Sequence, residues 1–238
     1  MVFNILIHIE IPHEIKHYYI LRNEGCGIWC GVRHFLNHIS PYHHGKIFLC
    51  YILIKGGYFL YNNYVVEPRE AKANDLIFKG QEYFAADNYE MALNGDGQGY
   101  IGFLNIEKEY GSTKAGNLAQ LYAGLSYAKL GKAQEAVECL KDFDDCDDEM
   151  VSPAALGALG NCYADLEQFD KAAATLVKAA EKANNNSLSP MFLMAAGQIY
   201  EAQGNIDKAL DCYQTIKEEY INSMQYAEVD KYIEKISK

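Results

Sequence analysis

Small, apolar and aromatic residues recur along the chain in one fixed phrase of 13 residues. It reads GQEYFAADNYEMA at Gly80–Ala92, GLSYAKLGKAQEA at Gly124–Ala136, GNCYADLEQFDKA at Gly160–Ala172 and GQIYEAQGNIDKA at Gly197–Ala209. Each copy has Gly, then Tyr three residues on, then Ala nine after that. Leu76, Leu156 and Leu193 stand four before their Gly, and Leu140, Leu176 and Tyr213 four after their Ala. Spacings of three and four are helical, and a phrase recurring every 36, 37 or 44 residues marks a repeat array. The pattern predicts helical hairpins, with Gly131 and Gly204 at the turns of the second and fourth. A mid-helix Gly costs roughly 1 kcal/mol against Ala, so its recurrence needs a packing reason. The expected reason is the Ala of the second helix, because two small residues let backbones approach closely. Tyr, one turn on, is expected to fill the space between hairpins.

These positions, Gly80–Tyr83–Ala92, Gly124–Tyr127–Ala136, Gly160–Tyr163–Ala172 and Gly197–Tyr200–Ala209, resemble the tetratricopeptide repeat (TPR) pattern over roughly Pro68 to Lys238. Departures are Gln120 at a bulky position and about seven extra residues, 93–99, before Phe103 resumes the register. The resemblance implies an all-α solenoid of about four repeats. The stretch 226–236, with Tyr226, Val229, Ile233 and Ile236 on one face, is expected to cap it. The repeat domain is expected over 67–238, a hydrophobic helix over 46–66 and an irregular segment over 1–45.

The helix expectation rests on IFLCYILIKGGYFLYNNYVV, residues 47–66, which carries Lys55 as its single charge. About 20 apolar residues suffice to cross a bilayer. Tyr58, Tyr61 and Tyr64 suit an interfacial belt, and Arg22, Arg33 and Lys46 place the N-terminus in the cytoplasm. A membrane anchor is therefore expected; a segment packed on the first repeat is the other reading. In residues 1–45 Cys26, Cys30, His34 and His38 recur every four residues, but a straight helix spreads such ligands over ~18 Å, so no metal site is expected. The change of style at Gly56–Tyr61 is what a wrongly joined reading frame leaves behind, which puts the nativeness of residues 1–55 in question.

From Glu67 onward there are 16 Lys/Arg against 29 Asp/Glu, a net of −13, which argues against nucleic acid as partner. All seven His lie in the first 44 residues, so the repeats lack the commonest general base. No phosphate loop, nucleophile elbow or zinc-protease motif occurs. The run Asn94–Gly99 resembles the start of a calcium loop, yet Asn105 stands where the ligating Glu belongs. The acidic run Asp144–Glu149 is expected to be a solvated loop. The seven Cys show no disulfide framework. Neither catalysis nor a cofactor is expected.

Protein binding is what the resemblance implies. Its groove positions lie six and three before each motif Gly, and one and four after. They are Asn74, Ile77, Gln81 and Phe84; Leu118, Leu121, Leu125 and Ala128; Ala154, Gly157, Asn161 and Ala164; Met191, Met194, Gln198 and Glu201. Lacking basic residues beyond Lys129 nearby, this lining is not a clamp for a terminal carboxylate; it suits an apolar helix or extended segment. The same residues could instead pack against the C-terminal helix. A single span followed by an acidic repeat array resembles bacterial inner-membrane TPR proteins of the ancillary Sec-translocon-subunit type. The resemblance implies a non-catalytic adaptor or chaperone-like binder with its repeats outside the cytoplasm. A soluble cytoplasmic TPR scaffold, or a regulatory subunit of an enzyme complex, is the alternative.

Overall fold

A computed structural model describes residues 41–146 and 148–237 of the chain, which divides into two compact units, Met1–Tyr61 and Asn62–Lys238. In the first unit the described residues form helix α1, Pro41–Tyr61. The Cys26–His38 array lies outside the described residues.

No described helix is long and apolar enough to cross a membrane, so the expected span finds no support. The apolar run does not coincide with one regular helix. It starts at Ile47, and α1 ends at Tyr61, where the π-helical segment Asn62–Val66 begins. The apolar part of α1 is thus ~22 Å long at 1.5 Å per residue, short of a ~30 Å hydrocarbon core, and contains Lys55.

The second unit is helical throughout its described elements: α2 (Glu67–Ala85), α3 (Tyr89–Asn94), α4 (Phe103–Tyr110), α5 (Lys114–Lys129), α6 (Ala133–Lys141), α7 (Val151–Asp165), α8 (Phe169–Ala183), α9 (Ser189–Ala202), α10 (Ile206–Glu219) and α11 (Tyr226–Ile236). Four hairpins follow the four phrases: α2 with α3, α5 with α6, α7 with α8, and α9 with α10. Each packs on its neighbours in sequence, with α8 against α9 and α6 against α7. The extra residues of the first copy form a loop between α3 and α4.

All four hairpins turn in the same way. The motif Tyr carbonyl accepts a backbone hydrogen bond from five residues on: Asn88 to Tyr83 at 2.9 Å, Lys132 to Tyr127 at 2.9 Å, Gln168 to Tyr163 at 2.9 Å and Asn205 to Tyr200 at 2.8 Å. This is a helix ending that requires one left-handed residue. Gly131 and Gly204 supply it in hairpins two and four, but Asp87 and Glu167 do so with φ of 58°. A side chain in that region costs energy that Gly avoids. Glu167→Gly is therefore expected to stabilise the protein by about 0.5–1 kcal/mol, read as a higher urea midpoint at unchanged slope.

The motif Gly is explained differently from the Gly–Ala pairing expected above. Ala92, Ala136, Ala172 and Ala209 are fully buried, but the side chain seated on each Gly comes one turn later. A Cβ on Gly124 would lie 2.7 Å from Leu140 Cγ, one on Gly160 2.8 Å from Leu176 Cγ, and one on Gly197 2.9 Å from Tyr213 Cδ1. In the first hairpin Phe103, beyond the insertion, takes that place over Gly80 with Tyr100. Gly thus makes a socket for a large residue of the second helix.

The insertion loop is tied down by Asp96. Its carboxylate pairs with Lys79 Nζ at 2.7 Å and accepts from Tyr83 Oη at 2.8 Å and from the amides of Gln98 and Tyr100 at 2.7 and 3.0 Å. The calcium-like sequence is thus an Asp-centred fold-back onto α2. The bond from Lys79, followed by that from the Gln98 amide, holds the Asp96 carboxyl well below the usual aspartate range. A depressed carboxyl contributes stability above its unfolded value near ~4 and loses it as pH falls toward the folded value. Wild type should therefore lose more stability below about pH 4 than Asp96→Asn does; parallel acid limbs in urea titrations would contradict this.

The acidic run 144–149 also has local work. Asp148 caps α7, accepting from the amides of Met150 at 2.8 Å and Ser152 at 3.1 Å, and Asp145 pairs with Lys182. Glu70 of α2 caps α5, its carboxylate accepting from Lys114 and Ala115 amides at 3.0 Å each. Burial pushes the Cys162 and Cys212 thiols up to about 11, as inert packing residues.

Candidate protein-binding face

The first helices of the hairpins, α2, α5, α7 and α9, carry the positions expected to line a groove. The positions three before each Gly are core in the first three hairpins. Ile77 and Leu121 are 4% and 6% exposed, and Gly157 is buried beneath the Phe192 ring. Leu121 packs in one cluster with Ala155 and Leu159 of the next hairpin, and Ile77 with Ala115 and Ala119. These residues join successive first helices and do not face a partner, which corrects their placement in the groove.

The positions six before and one after each Gly are more open. Asn74, Ala154, Asn161, Met191 and Gln198 are exposed, while Gln81, Leu118 and Leu125 are half-buried. Phe84 is half-buried against Tyr89 and Tyr122, with ring centroids at 5.3 and 5.4 Å. Leu118 is shared by the clusters of hairpins one and two and of hairpins two and three, and Leu125 joins the second of these. Met194 packs in the fourth-hairpin cluster with Tyr232, Ile233 and Ile236. The structure therefore does not gather all the expected groove residues on one open surface. It leaves a narrower strip of amides flanked by leucines.

In the fourth hairpin that strip is occupied. Gln198 Nε2 donates to Tyr232 Oη of α11 at 3.3 Å, and Lys235 Nζ pairs with Glu201 at 2.5 Å. Glu201 also accepts from Tyr213 Oη at 3.2 Å. Lys217 to Asp230, at 2.5 Å, ties α11 to α10. Of the face expected for this helix, Val229, Ile233 and Ile236 do pack, but Tyr226 is 41% exposed and Tyr232 replaces it. Tyr232 stands three residues after Val229, a spacing that could have revealed it. In hairpins one and three the equivalent amides, Gln81 and Asn161, make no hydrogen bond to the described residues, and neither does Asn74.

Of the motif tyrosines, Tyr163 and Tyr200 are buried and Tyr83 and Tyr127 half-buried, and Tyr83 packs on Tyr100 of its own insertion loop. Lysines cover their rings, Lys132 over Tyr127 at 6.0 Å, Lys171 over Tyr163 at 5.7 Å and Lys208 over Tyr200 at 5.2 Å. Among the described residues no group of three or more His, Cys, Asp or Glu is placed to hold a metal ion.

Hairpins packed in series around Gly sockets, with one helical face left open, define a repeat scaffold. Residues 118–144 and 152–223 match the tetratricopeptide repeat family, covering the second hairpin and the third and fourth. These matches support a TPR protein. No curated protein matches the chain.

Proposed function

We propose that this protein is a non-catalytic scaffold whose inner face, at hairpins one to three, takes an apolar helix or extended segment of another protein. The observation that carries the reading is α11. At hairpin four the same register positions already hold a helix, through Gln198–Tyr232 and Glu201–Lys235. At hairpins one and three the corresponding amides are uncommitted, and the register positions of hairpin two between them carry half-buried Leu118 and Leu125. Such a surface offers apolar burial with a few hydrogen bonds to set register. Leu125→Arg with Asn161→Arg should reduce capture of a crosslinked partner about tenfold or more, while melting stays within about 2 °C, because an arginine can reach solvent from either position. Unchanged capture would move binding off this face. Leu121, being buried, is unsuitable for such a test.

We also propose, as the finer placement, an adaptor or chaperone-like role at the outer face of a bacterial inner membrane. In its favour are the apolar side chains that α1 leaves exposed, including Ile54 at 69% and Phe59 at 64%. Against it stands the apolar part of α1, ~22 Å long at 1.5 Å per residue and interrupted by Lys55. Carbonate-resistant pelleting with the repeats digested by protease in spheroplasts supports that placement; release into the cytosolic fraction supports a cytoplasmic scaffold.

A further inference from the structure

We infer that α11 is a latch on the inner face: it closes the fourth hairpin while no partner is bound, and a partner segment that reaches this hairpin takes its place. The inference rests on the inner-face reading above and adds how that face is regulated. The occupancy follows the repeat register. Gln198, one after the motif Gly, donates to Tyr232 Oη, and Glu201, four after it, pairs with Lys235. Met194, three before it, packs with Tyr232, Ile233 and Ile236. In the third hairpin the positions one and four after the Gly are Asn161 and Ala164, and no part of α11 is bonded to them. One helix thus touches three of the four inner positions of hairpin four, while Met191 stays exposed.

The attachment is slight. The second helices α6, α8 and α10 bury three, six and four residues, whereas α11 buries Val229 alone among its 11. Tyr232, Ile233 and Ile236 are half-buried. Of the four groups in its two ion pairs, Lys235, Lys217 and Asp230 are exposed, and such pairs add little. The loop 220–225 that joins α11 to α10 carries the exposed side chains of Ile221 and Met224. Release also strands no polar group. Glu201 keeps the hydrogen bond from Tyr213 Oη at 3.2 Å, and the Gln198 side chain already reaches solvent. An element with few buried contacts opens locally, without unfolding the hairpins beneath it. An apolar segment laid on Met194 and Gln198 restores the burial that α11 gives up, so partner and latch compete for one strip.

Hydrogen exchange on the full chain reads the latch without any partner. Amides of α11 should exchange about ten times faster or more than those of α10; equal protection of the two helices would overturn the proposal. The competition is read in the native host with a benzophenone amino acid at Gln198, the partner adduct being scaled to that from Asn161 in the same background. Val229→Asp, which puts a carboxylate into the one buried site of α11, should raise this ratio about threefold or more. Lys235→Glu, which sets a second carboxylate against Glu201, should raise it in the same direction, and serves if Val229→Asp lowers the amount of folded protein. A ratio that stays level or falls in both variants would overturn the latch and leave the inner-face reading standing. Absence of partner adducts from Gln81, Leu125 and Asn161 in wild type would remove that reading, and the latch with it.

Discussion

Gly160→Leu should destabilise the array by about 3 kcal/mol, lowering Tm by roughly 10 °C. The socket at Gly160 is already filled. A Cβ there would lie 2.8 Å from Leu176 Cγ, 3.0 Å from Leu176 Cδ2 and 3.3 Å from the Ala172 carbonyl oxygen. Leu176 is 1% exposed, so a leucine side chain at Gly160 competes with it for one buried site and should push α7 and α8 apart. Gly160→Ala should cost less, because a single methyl asks only for a small shift of the leucine. An unchanged Tm for Gly160→Leu would mean that Leu176 does not sit on Gly160.

Phe103→Ala should cost about 4 kcal/mol, the usual range for emptying a buried aromatic site. Phe103 is fully buried, stacks on Tyr122 at 5.4 Å with rings 17° apart, and meets Tyr100 edge-on at 6.2 Å. It is also the residue that restores the repeat register after the insertion. Because each hairpin contacts chiefly its neighbours, the damage should be local. Hydrogen exchange should rise across α2–α5 while α9 and α10 keep their protection. Uniform loss over the whole array would contradict that local coupling.

Much of this fold is legible in the residue pattern because the hairpin packs through local, periodic contacts. The Gly–Tyr–Ala phrase locates both helices of every pair, and the 44-residue interval locates the insertion and the return at Phe103. The inner face was less legible. Counting positions from the motif Gly finds the right side of the helix, but not whether the next hairpin covers it. Ile77, Leu121 and Gly157 are buried by that neighbour, which no spacing within one repeat reports. The role of α11 was ambiguous for a related reason: its apolar stripe says that it packs, while Tyr232 and Lys235 select Gln198 and Glu201 as the place. The membrane expectation is left without support because the 20-residue hydropathy count takes in Asn62–Val66, whereas the apolar part of α1 runs from Ile47 to Tyr61 and carries Lys55.

The central claim, that the inner face of hairpins one to three binds other proteins, is tested most directly by site-specific photo-crosslinking in the native host. A benzophenone amino acid is placed singly at Gln81, Leu125 and Asn161, and at Glu138 on the outer surface as reference. The account predicts higher-mass adducts of the same partner from all three inner positions and not from Glu138. Adducts from Glu138 with none from Gln81, Leu125 or Asn161 would contradict it.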